Sequence, residues 1–226
     1  MRLDSGMKLE VRDLGRVAYA PTLDLQRTLQ RARIAAHESG SDATETLLLL
    51  EHTPVYTWGK RTRAEHMGDG PRHLQTLGAD VFETDRGGEI TFHGPGQLVG
   101  YPIAFLGNLR CGRDLHKYMR GLEETMLHVL RSYGLQGQRV QGLTGVWVEH
   151  AGTLAKVAAL GVRVTKWVSM HGFALNVSDE VLPWFAHITP CGIKDRPVTS
   201  LQSLLGSEPS MPEVKARAEA AFREVF

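Results

Sequence analysis

Two stretches of this chain set reactive side chains among residues that turn. The segment Arg86-Gly87-Gly88-Glu89-Ile90-Thr91-Phe92-His93-Gly94-Pro95-Gly96-Gln97 flanks a short strand-like run with glycines and a proline, and carries an arginine, a glutamate and a histidine. Glycine tolerates positive φ and lets backbone come close to a ligand, so the segment reads as a binding loop. A glycine-rich hairpin without chemistry is the plain alternative. The segment fits neither G-x-G-x-x-G nor the P-loop pattern, which argues against a dinucleotide or Walker-type phosphate site. Further along, Ile188-Thr189-Pro190-Cys191-Gly192-Ile193 sets one of the two cysteines between a proline and a glycine, a turn context that presents a thiol to a cleft. Cys111, in Leu109-Arg110-Cys111-Gly112-Arg113, also adjoins a glycine, so the turn argument alone leaves both cysteines open. Two unpatterned cysteines make no disulfide framework and suit a reducing compartment. His52, His93, His171 and Cys191 lack H-x-H, H-x-x-x-H or C-x-x-C spacing, so neither a metal nor another cofactor is expected.

These groups need a scaffold, and 226 residues suit a single domain, 1–226, with a core over about 9–205 and a terminal helix over about 212–226. A hydrophobic content of 42% and a charged content of 23% are ordinary for a globular protein. A net charge of +1 supplies no basic surface for nucleic acid. The start lacks an apolar leader and nowhere do about 18 apolar residues run together; no membrane association is expected, and the location expected is cytoplasmic. Leu23 through His37 reads as a helix burying Leu25, Leu29, Ala32 and Ala36. Thr46–His52 reads as a buried strand closed by Thr53-Pro54. Leu115, Tyr118, Met119, Leu122, Met126, Val129, Leu130 and Tyr133 form a helical stripe ended by Gly134. Gly145–Glu149, Lys156–Val164 and Gly172–Val177 read as successive strands, the first two joined at His150-Ala151-Gly152. Thr199-Ser200 caps a short helix ending at Gly206, and Pro212 opens a last one carrying Val214, Ala218, Ala221, Phe222 and Val225 inward. The result is a mixed α/β fold with a central sheet flanked by helices.

The glycine-rich segment, the Cys191 turn and the intervening Lys156-Val157-Ala158-Ala159-Leu160-Gly161-Val162-Arg163-Val164 and His171-Gly172-Phe173-Ala174-Leu175-Asn176-Val177 together resemble the bacterial lipoyl(octanoyl) transferases. The likeness runs from about Leu9 through Ser200-Leu201. Val157 and Leu160 stand where isoleucine is frequent, and Phe92 where tyrosine is frequent; only the last removes a polar group. The resemblance implies the architecture of biotin and lipoate protein ligase catalytic domains. It also implies transfer of an octanoyl group from octanoyl-acyl carrier protein to a lysine of lipoyl domains, in dihydrolipoyl acyltransferase subunits of 2-oxoacid dehydrogenases and the glycine-cleavage H protein. Cys191 would be the nucleophile, passing through a thioester, and Lys156 the acid–base group.

A free thiol is mostly protonated at neutral pH and needs such a partner. A lysine in an apolar strand reaches a cleft, a partner or, by snorkelling, solvent. The substrate-contact segments that carry over are Arg86, Gly87, Gly88, Glu89, Ile90, Thr91, Phe92 and His93, then Ala159, Leu160 and Gly161, then Gly172, Phe173 and Ala174. Their small residues leave room for an alkyl chain worth roughly 0.8 kcal/mol per buried methylene. His93 and His171 could orient a thiolate or hydrogen-bond a thioester oxygen, and amides at Gly87-Gly88 or Cys191-Gly192 could serve the carbonyl oxygen. Lys60-Arg61-Thr62-Arg63 is either a docking cluster for acidic carriers or a solvated loop. The alternatives are an ATP-dependent lipoate or biotin ligase, against which the cysteine argues, and a non-catalytic acyl or lipoyl-domain binder, against which the lysine and cysteine together argue.

Overall fold

The computed structural model describes residues 7–188 and 197–226; Cys191 and Gly192 lie outside the described residues. The chain opens with strand β1 (Leu9–Val17), helix α1 (Tyr19–Glu38) and strand β2 (Glu45–His52). β1 and β2 pair in parallel, so α1 is the crossover between them. Next come β3 (Val55–Trp58), α2 (Pro71–Thr76), β4 (Asp80–Glu83) and β5 (Thr91–His93), whose strands form a separate small sheet in the order β4-β3-β5. Then follow β6 (Gln97–Ile103), α3 (Leu115–Ser132), β7 (Gly137–Gln138), β8 (Val146–His150), β9 (Thr153–Thr165) and β10 (Val168–Asn176). A 3-10 helix (Asp179–His187), α4 (Leu201–Leu205) and α5 (Met211–Val225) complete the described chain. The main sheet has the order β1-β2-β6-β10-β9-β8-β7.

The uniformly apolar run in β2 is buried on both faces of this sheet. Leu47 and Leu49 join the core under α3 and α5, while Leu48 and Leu50 join a cluster on the α1 side. The expected helix caps appear at Ser200, whose side chain accepts from the Ser203 amide, and at the left-handed Gly206.

α1 differs from expectation. It begins at Tyr19, and the residues it buries fully are Tyr19, Thr22, Leu23, Gln26, Gln30 and Arg33; of the expected set, Leu25 and Leu29 pack half-buried against the cluster of Leu48 and Leu50, whereas Ala32 is exposed. Its inner polar groups have made-to-measure partners. Gln26 Oε1 accepts the His171 amide at 2.9 Å, Gln30 Nε2 donates to the Val168 carbonyl at 2.9 Å, and Arg33 forms a two-pronged pair with Glu45 at 2.9 and 2.6 Å. In α3, Tyr118, Leu122, Met126, Val129 and Leu130 are buried as the stripe predicts, but Leu115 is 43% exposed.

β9 is longer than β8. The β8 partners run from Thr153 to Ala158, so residues 159–165 of β9 have no β8 neighbour. A further segment enters this sheet where β10 stops: Val198 bridges to Lys156 in parallel, the Lys156 amide donates to the Pro197 carbonyl at 2.9 Å, and the Thr199 amide donates to the Lys156 carbonyl at 2.9 Å.

Candidate active site

The free stretch of β9 borders a cavity of about 680 Å³ between the two sheets. Residues 86–91 and His93, Ala159-Leu160-Gly161, Gly172-Phe173-Ala174 and Lys156 all line it. Phe92 faces the other way, because successive strand residues alternate. Its ring stacks on Trp184 with centroids 4.7 Å apart, in a small core with Tyr56 and Phe185. The tyrosine-to-phenylalanine replacement therefore falls in that core and not on the cavity wall.

The glycine-rich segment is held as a third backbone between two others. On one side the Gly87 amide donates to the Val162 carbonyl at 2.9 Å; on the other the Lys60 and Arg61 amides donate to the carbonyls of Arg86 and Gly88 at 3.3 and 3.2 Å. Arg86 anchors it from within, donating from Nη2 to the Thr57 carbonyl at 2.6 Å and from Nη1 to the Gly87 carbonyl at 3.1 Å. The Gly87 amide is thus already committed, which removes it from the candidates for a carbonyl-oxygen donor. Glu89 pairs with His66 at 2.8 Å.

Hydrogen bonding assigns the histidine tautomers. The Gln97 amide nitrogen donates to Asn176 Oδ1 at 2.9 Å, so its oxygen accepts from Nδ1–H of His93 at 2.7 Å and leaves His93 Nε2 without a proton. His52 Nδ1–H donates to the Val17 carbonyl at 3.0 Å, and its Nε2 accepts the Tyr101 hydroxyl at 2.8 Å. His171 Nε2–H donates to Asp85 at 3.2 Å, and Asp85 also pairs with Arg163. Burial pushes His93 and His171 down to about 3 and His52 down to about 4; the neighbouring His52 adds to the shift of His93, and Arg86 to that of His171. All three are neutral at pH 7. His93 and His171 therefore spend their single N–H within the protein, and each can accept a hydrogen bond but has none to donate to a thioester oxygen. Tyr19 differs: its hydroxyl is buried on the cavity wall, and burial pushes it up to about 12, so it remains a donor.

Cys111 is away from the cavity, half-buried against the main core, with its thiol pushed up to about 11 by burial. At neutral pH it is a protonated, poor nucleophile.

A family model, the lipoyl protein ligase A/B catalytic domain, matches residues 18–223. An octanoyltransferase of Rubrobacter xylanophilus is 49% identical over 221 residues, covering 96% of this chain and 94% of that protein. One of Geobacter metallireducens is 44% identical over 212 residues, covering 94% of this chain and 91% of its own. This chain belongs to the octanoyltransferase family. As a member it is an acyltransferase within the lipoyl protein ligase A/B superfamily.

The family's fold reaches further than its sequence. A bipartite lipoate protein ligase from Thermoplasma acidophilum superposes with a TM-score of 0.72 at 16% identity, covering 97% of this chain and 84% of that one. The biotin protein ligase of Aquifex aeolicus superposes at 0.52 and 14% identity, covering 96% and 68%. At these identities the likeness is one of architecture. The family motifs lead to the Gly-rich, β9 and β10 walls of the cavity. Sequence reasoning missed Tyr19 and Tyr101, which come from elements without a motif, and the wall formed by Leu115, Met119 and Glu123 of α3. The signal for that wall is the apolar stripe of α3 itself, which continues a turn beyond the core it fills.

Proposed function

We propose that this acyltransferase moves an octanoyl group from octanoyl-acyl carrier protein to a lysine of lipoyl domains, the first step of endogenous protein lipoylation in the cytoplasm. The acceptors are dihydrolipoyl acyltransferase subunits and the glycine-cleavage H protein, and the whole chain works as one catalytic domain. What carries this reading is that Lys156 lines one cavity with the Gly-rich segment and with Phe185 and Val198, the lining residues that precede and follow the Cys191 turn in sequence.

In the first half-reaction the Cys191 thiol gives its proton to Lys156, and the sulfur attacks the donor carbonyl. The carrier thiolate leaves and takes the proton from the Lys156 ammonium. In the second, the acceptor amine attacks the Cys191 thioester, its proton passes to Lys156, and the Cys191 sulfur leaves and is reprotonated. The carbonyl oxygen needs a donor in both steps; Tyr19, buried and protonated, is suited to that role, whereas the neutral His93 and His171 are suited to accept. Leu160, Phe173 and Ala174 provide apolar wall for the alkyl chain, and exposed Lys60 and Arg61 at the rim suit an acidic carrier.

Intact-mass measurement after mixing with octanoyl-acyl carrier protein, without ATP, tests this. A single octanoyl adduct removable by hydroxylamine is expected in the parent and in Cys111→Ala, and none in Cys191→Ala. An adduct on Cys111, or a requirement for ATP, would overturn the reading.

A further inference from the structure

Lys156 stands directly opposite Trp147 across the β8–β9 ladder. Its ammonium lies over the indole, 4.8 Å from the ring centroid. The indole is only 2% exposed, so little water competes for the contact, and a cation on a shielded aromatic face is held more firmly than one at the surface. An irregularity in the ladder produces this pairing. Val146 faces Ala158 while Trp147 faces Lys156, which leaves Val157 as an extra residue on β9, and a bulge of this kind re-aims the side chains beside it.

A second constraint comes from Gly145. It has φ +125°, and a Cβ there would lie 3.0 Å from Lys156 Cε, 3.4 Å from Nζ and 2.7 Å from the Ala158 carbonyl oxygen. Any side chain at this position would meet the end of the lysine. Gly145 is itself fixed: its amide donates at 3.2 Å to Oε1 of buried Glu123 on α3, whose other oxygen accepts from Arg120 at 2.6 Å and Arg139 at 3.2 Å. The lysine's reach is therefore bounded by an aromatic ring and by bare backbone tied to a helix.

We propose that Trp147 and Gly145 are positioning residues that set the Lys156 ammonium at the cavity for acyl transfer, an inference that rests on Lys156 being the acid–base group. A free lysine side chain spreads over many rotamers, and ordering it costs conformational entropy. The indole face and the Gly145 gap keep it ordered before substrate arrives. Neither residue is itself at the reacting atoms, so their effect falls on the rate of the chemical step and not on binding of the donor.

The test compares Trp147→Phe, Trp147→Leu and Lys156→Ala in the full chain, with octanoyl-pantetheine as the acyl donor. The rate of acylation, its KM and the thermal unfolding midpoint are recorded for each. Trp147→Leu is expected to lower the acylation rate constant about tenfold or more with KM within about twofold, and Trp147→Phe, which keeps a weaker aromatic face, to lose about threefold. A folded Trp147→Leu enzyme at the parent rate, or a loss seen only in KM, overturns the proposal. Should the leucine variant not fold, a Trp147→Phe enzyme at full rate overturns it just as well. Lys156→Ala separates the two levels. If it still acylates, the role of Lys156 itself is wrong; if it is inert while folded Trp147→Leu is fully active, only the positioning is wrong.

Discussion

Gly161 stands where two backbones meet. A Cβ built on it would lie 2.8 Å from the Gly87 carbonyl oxygen and 3.5 Å from Arg86 Cδ, so the missing side chain makes room for the Gly-rich segment. Gly161→Val should therefore push residues 86–88 off the β9 edge, costing about 1–3 kcal/mol of stability as overpacking does. Rates with hexanoyl and octanoyl carrier protein should fall together. Thermal unfolding and paired kinetics check this, and a change in the hexanoyl-to-octanoyl ratio would show that the chain passes Gly161 after all. At this scale the sequence showed which glycines cluster but not what each makes room for. Gly87 was one of several candidates to offer an amide to the carbonyl oxygen, and it offers it to Val162 instead. A close backbone approach depends on two segments about 75 residues apart, as 86–88 and 161 are, and no local pattern records it.

The elements show a second limit of the same kind. β2 was legible as an unbroken apolar run and α3 as an apolar stripe of helical period, and burial of such residues needs no particular partner. The inner face of α1 was not, because its glutamines and arginine are buried only by virtue of groups brought from afar; Val168 is 138 positions from Gln30. The Arg33–Glu45 pair is the strongest instance. Both side chains are buried, and Glu45 also accepts the Phe105 amide at 2.8 Å and the Asn108 side chain at 3.0 Å, so the pair ties α1 and β2 to the exit of β6. Replacing either partner strands a buried charge, and Arg33→Leu or Glu45→Leu should each cost about 3–5 kcal/mol. Urea unfolding of both single variants and of the double variant measures this. The double variant should recover much of the loss, since no lone charge remains; equal losses that simply add would show that the two side chains act independently.

Across the whole molecule, three buried neutral histidines make stability depend on acid. Unfolded histidine titrates near about 6.5, whereas His52 holds to about 4 and His93 and His171 to about 3 because burial opposes their charging. Below about 6.5 the unfolded chain takes up protons that the folded chain refuses, so this contribution is fully present above that pH and is lost progressively as pH falls towards the folded values. Urea midpoints should be lower at about pH 5 than at about pH 7.5, and His52→Gln should flatten the difference. The same histidines sit where the small sheet meets the large one, a junction the sequence did not announce: β3, β4 and β5 are short, and their own core of Tyr56, Phe92, Ile188 and neighbours is separate from the main one. No helix among the described residues is long and apolar enough to cross a membrane. The small sheet backs the cavity with a core of its own, while Val55 and Phe82 tie it to α1, β6 and β10, so the spacing of the two sheets can be changed from outside the cavity. Substitutions at Tyr56, Phe92 or Trp184 alter the thickness of the smaller body, like a shim behind a hinge plate. On the proposed octanoyl reading, such substitutions would change the length of acyl chain the cavity takes while every residue that lines it stays the same.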